Sequence, residues 1–425
     1  MNVIKFGVIG GGSIFSPELV DLIAKETANF GEVHIRFMDI DKKRQAVVGS
    51  LCERIVFKTN APVFISYVDS YEDVIDGCDY LLIQFRVGGE DARIDDELLG
   101  KKYRIPFVET VSVCGIATFL RTYYEIEKIA AIVLEKAPQA WVLNFANPAE
   151  LVAQSLSACG VTKVIGVCNA STRLMGFLKE KIGFSEDDSC FMSWRGLNHL
   201  TVVDSFQLNG KEILPEILDS LEDYESDRTP FPALLGRELG YLPNQYFQYY
   251  FLERELVTKE QEALQVRSQL VKEINAELLE QYEYVNYVPE ALTKRGGYGY
   301  SKTVVDVIRS LQTGDNQTHY IVTKNLGAIP DLPYESFVEV PCIVNKNLVR
   351  PIACGKLPAT AAPLIAAMKA FENTLIDAAI HRSSHELLKS MMIHPLIGDF
   401  SLAKPLMDDI LEHNAAYLPS EFTNR

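Results

Sequence analysis

The sequence predicts an α/β protein, with a Rossmann-like doubly wound sheet at the N-terminus and a mixed α+β C-terminal region. Three observations carry that expectation. An apolar run over residues 3–9 enters a bare-backbone turn, Gly10-Gly11-Gly12-Ser13, and a helix-like stretch starts at Pro17. A second apolar run, residues 34–38, ends at Asp39. Strand and helix patterns then alternate through the first third of the chain, the βαβ rhythm of a parallel sheet.

The glycine turn lets backbone approach a pyrophosphate, whose charge the free N–H groups of the next helix would face. Gly10, Gly12 and Ser13 are the candidate cradle, and Asp39 stands where an acid bonds a ribose hydroxyl. Phe15 occupies the place of the third small residue of the standard fingerprint. The glycines alone therefore also fit an ordinary strand-to-helix turn, and Asp39 moves the reading toward a dinucleotide.

Further strands are expected over residues 33–38, 63–67, 80–85, 140–144 and 163–167, with helices over 42–58 and 117–136. The binding crevice of such a sheet lies at the strand carboxyl ends. Arg86, Asn144, Asn147 and Cys168 fall there. From about Cys190 the rhythm changes. Residues 201–213 read as a hairpin around Asn209-Gly210, residues 258–284 and 357–383 as long helices, and residues 336–344 and 347–352 as strands. The expected division is a dinucleotide-binding domain over residues 1–190 and a substrate and metal domain over residues 191–425.

The 425 residues are 48% hydrophobic and 23% charged, ordinary for a globular chain, with a net charge of −16. That balance disfavours nucleic acid and anionic membrane as partners, since both require a positive surface. An anionic substrate would need a few local Arg or Lys side chains. No run is long and apolar enough to span a bilayer, and none has a signal-peptide pattern. The eight cysteines include no C-x-x-C pair, so most are expected as buried thiols of a cytoplasmic protein.

Gly166-Val167-Cys168-Asn169 places a thiol at a strand end, and Gly196-Leu197-Asn198-His199 places an imidazole beyond a short strand-like stretch. Taken alone, the pair favours one buried thiol and one hydrogen-bonded histidine. As metal ligands the two would leave most of the coordination shell open, which suits a Lewis acid that chelates substrate oxygens. Residues 238–250 are dense in tyrosine. Most such rings simply pack, and one could act as a general base beside a cation or metal. Arg93, Arg267 and Arg295 are singly solvated charges. Converging, they would clamp a phosphate or carboxylate. His381 and His385 read as surface or packing residues.

In this order the pieces resemble glycoside hydrolase family four, specifically its 6-phospho-β-glucosidases. The matching segments include Gly10–Pro17, Gln84-Phe-Arg-Val-Gly-Gly89, Arg93 with Asp95–Glu97, Glu109-Thr110, and Asn144-x-x-Asn147-Pro148. They continue with Cys168-Asn169, Gly196–His199, Asn244-x-Tyr246-x-x-Tyr-Tyr250, Thr293–Gly297, Asn325-x-Gly327-x-Ile329 and Val340-Pro341-Cys342. The resemblance implies NAD and a divalent metal, usually manganese. It implies oxidation at sugar C3, removal of the C2 proton by a tyrosine, loss of the aglycone, water addition and return of the hydride; this family is an exception to two-carboxylate hydrolysis.

Carried over by motif, Cys168 and His199 would ligate the metal, and Tyr246 would be the C2 base with Glu109 supporting its basicity. Arg93, Asn147, Asn169 and Arg267 would hold the phosphorylated sugar. Asn169 stands where the α-glucosidase branch carries an acid, which points to β-linked substrates. A homodimer or homotetramer is implied as well. The chain departs from the family at Phe107–Gly115, where bulkier residues flank Glu109-Thr110, and at Ser171, where the family has proline. The alternatives are an NAD-dependent dehydrogenase of hydroxy acids and a non-catalytic NAD- or sugar-phosphate-binding protein.

Overall fold

The computed structural model describes residues 3–185, 187–221, 233–297 and 299–423. Its strands are β1 (Val3–Ile9), β2 (Glu32–Met38), β3 (Val63–Val68), β4 (Tyr80–Ile83), β5 (Trp141–Asn144), β6 (Val164–Gly166) and β7 (Cys190–Leu197). They continue with β8 (Leu200–Leu208), β9 (Lys211–Glu212), β10 (Leu242–Pro243), β11 (Gln317–Lys324), β12 (Phe337–Asn345) and β13 (Leu348–Pro351). All join one sheet, ordered β10-β8-β7-β12-β11-β6-β5-β4-β1-β2-β3, with β13 beside β12 and β9 beside β8.

The half ending in β3 is the parallel Rossmann order, 3-2-1-4-5-6. Its inner strands are buried on both faces, as parallel strands covered by crossover helices must be. Phe6, Val8 and Leu82 join one core, and Ile9, Leu81 and Ile83 the other, because alternate side chains leave opposite faces. The β11 strand then pairs antiparallel to β6, and the sheet runs on through β12, β7 and β8 without a break at residue 190.

One transverse line of paired residues crosses the sheet: Met38, Ile9, Ile83, Asn144, Gly166, Val322, Glu339, Gly196 and Thr201. Within a few residues of that line stand Asp39, Gly10, Gln84–Arg86, Asn147, Cys168 and His199. Register alone thus lines up segments that are far apart in sequence.

The helix expected over 258–284 is two helices, Glu253–Glu262 and Arg267–Tyr282. One long-range contact and one local cap mark the break. Lys101 Nζ donates to the Ala263 carbonyl at 2.8 Å, and the Gln269 side chain accepts from the Val266 N–H at 2.9 Å. The helix expected over 357–383 starts later, at Ala362, with proline in its first turn. The expected hairpin forms from β8 and β9 around Asn209-Gly210, both at positive φ. No helix among the described residues is long and apolar enough to cross a membrane. All eight cysteines are free, five of them buried.

Candidate active site

The glycine turn is shaped by close approach. Gly10 has φ 90°, and a Cβ there would lie 2.9 Å from the Gln84 backbone; one on Gly12 would lie 2.9 Å from Asp39 Oδ2. The Asp39 carboxylate is held from both sides, by the Gly12 N–H at 2.8 Å and the Asp41 N–H at 2.9 Å. Ser13 Oγ accepts from the Phe15 N–H at 3.3 Å, just ahead of the helix Ser16–Lys25. A bare-backbone cradle, a helix start and a fixed acid fit a dinucleotide. Phe15, in place of the small residue, turns its ring toward the 295–297 loop; the Arg295 guanidinium lies 5.7 Å from the ring centroid.

Beyond β4 lies an interleaved charge cluster. Arg86 pairs with Glu109 and, at 3.6 Å, with Glu90. Arg93 meets Glu97 at 3.0 Å, Glu90 at 3.5 Å and Glu109 at 3.6 Å, and Arg295 meets Glu90 at 3.3 Å. Burial alone would raise the Glu109 carboxyl, but Arg86 and Arg93 outweigh it and hold the group well below the usual carboxylate range. Glu109 is therefore an ionised, weakly basic group. Among the described residues no hydrogen bond joins it to Tyr246.

Cys168 and His199 are both buried. Burial, then the Glu339 charge, pushes the Cys168 thiol up to about 12, and the nearby Ala170 backbone and the Asn198 and Tyr300 side chains oppose that rise. Burial pushes the His199 imidazole down to about 4, so the ring is neutral at physiological pH. Its Nδ1 bonds Thr110 Oγ1. A metal on Nε2 requires the proton on Nδ1, where the Thr110 oxygen can accept it. Among the described residues no three His, Cys, Asp or Glu side chains cluster as a metal site. The donor set is one soft thiol and one imidazole, and it fits an open-shelled transition metal.

Tyr246 lies flat on His199, ring centroids 3.9 Å apart and planes 3° from parallel. It sits in a single 3₁₀ turn, Gln245–Phe247, whose Asn244 side chain accepts the Tyr246 N–H at 3.1 Å. Asn244 is in turn tied to Thr201, so the base candidate hangs from the next strand along the same line. Burial raises the Tyr246 phenol above its ordinary value. Negative charge at Cys168 and Glu109 adds to that rise, and Arg173 and Arg93 oppose it. Without a dication beside it this phenol is a poor base at neutral pH.

Asn169 is buried at the start of the helix Ala170–Ile182, and Asn147 is half-buried beyond β5. Arg93 is buried among its carboxylates, whereas Arg267 is exposed at the start of its helix and pairs with no carboxylate among the described residues. The structure therefore gathers Cys168, His199, Tyr246, Glu109 and Arg93, and leaves Arg267 outside that cluster. It also adds residues the motifs do not single out. Tyr300 faces Cys168, and its sequence signal is the preceding Gly296-Gly297-Tyr298-Gly299. Glu339 is fully buried, and its signal is a lone acid in the apolar run of β12.

Residues 5–184 match the profile of the family 4 glycosyl hydrolases, and residues 194–397 that of the family 4 glycosyl hydrolase C-terminal domain. The chain is 31% identical to the 6-phospho-beta-glucosidase BglT of Thermotoga maritima over 97% of this chain and 99% of that one. It is 32% identical to a probable 6-phospho-beta-glucosidase of Bacillus subtilis over 99% and 98% of the two chains. The Thermotoga maritima enzyme solved with manganese, NAD+ and glucose-6-phosphate superposes with a TM-score of 0.91 at 31% identity, covering 98% of this chain and 99% of that one. A lactate dehydrogenase from Cryptosporidium parvum, 15% identical, reaches a TM-score of 0.56 over 89% of this chain and 99% of its own, a likeness of fold alone.

Proposed function

The chain belongs to family 4 of the glycosyl hydrolases, and from that premise we propose that it is an NAD- and divalent-metal-dependent 6-phospho-β-glucosidase. The observation that supports this reading is the shared register line across the sheet, near which stand the glycine turn, Cys168 and His199, with the Tyr246 ring stacked on His199. When bound, NAD supplies a hydride acceptor for sugar C3 and manganese a Lewis acid, which together make the C2 proton labile. Gly10, Gly12, Ser13 and Asp39 hold the dinucleotide. Cys168 and His199 hold the cation. Asn147, Asn169 and Arg93 hold the phosphorylated sugar, and exposed Arg267, whose neighbour Ser268 bonds the Arg93 partner Glu97, completes the clamp from outside that cluster. Tyr246 takes the C2 proton, with its ring fixed against His199. Glu109, held ionised by Arg86 and Arg93, acts through its charge and keeps Arg93 in place.

The test is a panel of phosphorylated and plain β- and α-glucosides, with NAD and Mn2+ added or withheld. Turnover is expected only with 6-phospho-β-glucosides and both cofactors, with no net NADH. Net NADH would identify a dehydrogenase instead, and binding without turnover a non-catalytic protein. We place the enzyme in the cytoplasm, in keeping with its free thiols, as a homodimer or homotetramer. Ile40, Phe57 and Leu264 are apolar side chains that an assembly could cover, and light scattering tests the assembly.

Two outcomes follow from charge. Metal binding must displace the Cys168 proton, whereas His199 is already neutral, so the apparent Mn2+ affinity is expected to rise about tenfold per pH unit from 6 to 9. A flat profile would take Cys168 out of the ligand set. Arg267→Ala is expected to raise KM for 6-phospho substrates by about 2 kcal/mol of charge-assisted bonding and to leave plain glucosides unaffected. An unmoved KM removes Arg267 from the clamp. Arg93→Ala tests less cleanly, because stranding its buried partner Glu97 would cost about 3–5 kcal/mol of stability.

A further inference from the structure

The loop in which the chain departs from its family also supplies the hydrogen-bond partner of a candidate metal ligand. Thr110 Oγ1 bonds His199 Nδ1, and among the described residues nothing bonds Nε2. The loop joins the helices Gly89–Tyr103 and Val113–Lys136 and is pinned at several points. Ser112 Oγ donates to the Val108 carbonyl at 2.7 Å, closing a turn around Thr110. A Cβ on Gly115 would lie 2.5 Å from the Thr110 carbonyl oxygen, so the following helix seats against Thr110 only through bare backbone. Tyr250 Oη donates to the Val111 carbonyl at 3.1 Å, from the short helix Gln248–Phe251 that directly follows the turn carrying Tyr246. On the other side of Thr110, Glu109 is tied to Arg86 and Arg93.

A neutral imidazole has two tautomers, and the hydrogen bond at one nitrogen decides which is populated. Only the Nδ1–H form leaves the Nε2 lone pair for a cation. We propose that Thr110 is a positioning residue for the metal centre: its hydroxyl oxygen accepts the Nδ1–H of His199, which selects that form and fixes the ring on which Tyr246 stacks. The inference rests on the metal-dependent reading above. It adds that the ligand is set by a side chain of a loop outside the sheet, and that the bulkier residues of this loop preserve the contact. A hydroxyl suits the place better than a carboxylate. Either selects the tautomer, but a carboxylate would add negative charge beside Tyr246, whose proton must leave.

The test reads the tautomer and the cation without turnover. The seven histidines are labelled with 15N, and the His199 signals are those missing from His199→Ala. Free Mn2+ is followed by its electron paramagnetic resonance signal, and Co2+ by its thiolate-to-cobalt absorption band. In the metal-free parent, the 15N shifts should show a proton on His199 Nδ1 and a bare lone pair on Nε2. Thr110→Val keeps the volume and removes the acceptor, so the Nε2–H form should appear and Mn2+ binding should weaken about tenfold. Thr110→Ser should restore both, and NAD affinity should not change in either variant. A Thr110→Val protein with the tautomer and Mn2+ affinity of the parent overturns the proposal even if its melting temperature falls, since a merely structural role would alter stability alone. A parent with its proton on Nε2 overturns it as well, and that measurement stands even if Thr110→Val does not fold. A parent with the Nδ1–H form but no cobalt–thiolate band would instead sink the metal reading, and the positioning role with it, so the two failures are told apart.

Discussion

Tyr246→Phe is expected to keep NAD, cation and sugar binding and to lose turnover by about a hundred- to ten-thousand-fold. The change deletes one hydroxyl. The ring stays flat on His199, and the Asn244 contact to the backbone N–H is untouched. Binding losses of similar size would point to a packing role. The bare site keeps this phenol protonated, through burial and the nearby negative groups, so its basicity must come from the cation. Omitting Mn2+ should therefore cost the parent enzyme about as much as the mutation does, and the two losses should not add. A substrate deuterated at C2 should react more slowly and lose its label to solvent. Label retained through complete hydrolysis would reject proton abstraction at C2, because an ordinary acid–base glycosidase never breaks that bond.

Cys168→Ser should abolish Mn2+-dependent turnover while NAD still binds. Serine is a poor ligand for a soft site, and only the thiolate of cysteine serves well. The glycine turn and Asp39 lie on the far side of β4 and β5, so the dinucleotide site should be undisturbed. His199→Ala should act likewise but more broadly, since it also strips Tyr246 of its stacking partner and Thr110 of its bond. Activity in either variant with chelator present would refute the ligand assignment. Oxidation of Cys168 should reproduce the serine phenotype.

Much of this is legible in the sequence because parallel, doubly covered strands are continuous apolar runs. The expected runs over residues 3–9, 33–38 and 63–67 fall on β1, β2 and β3, to within a residue at either end. Other elements leave no such trace. The first half of β11, Gln-Thr-His-Tyr, is polar and partly exposed, so it reads as loop. The β7 strand carries buried Ser193 and Arg195, which are tolerable only because both meet Asp204 across the hairpin. The helix break near Val266 depends on Lys101, far away in sequence. At the site, the family resemblance singles out Cys168, His199 and Tyr246, but the charge state of Glu109 depends on arginines that only the fold brings to it. Asn198 is visible as a letter in a motif, and its partners Glu150 and Glu339 are not.

The line of register across the sheet bears on the order in which the enzyme assembles. On the cofactor side it joins strands that follow one another closely along the chain. On the metal side it closes only when β12 finds β7, bringing together Asn198 and Glu339, 141 residues apart. Contacts that distant carry a larger loop-closure cost and form slowly. In a refolding experiment with both reporters present, NAD binding should therefore return before the cobalt–thiolate signal. Until it does, a half-assembled chain would hold the dinucleotide with nowhere to place the cation.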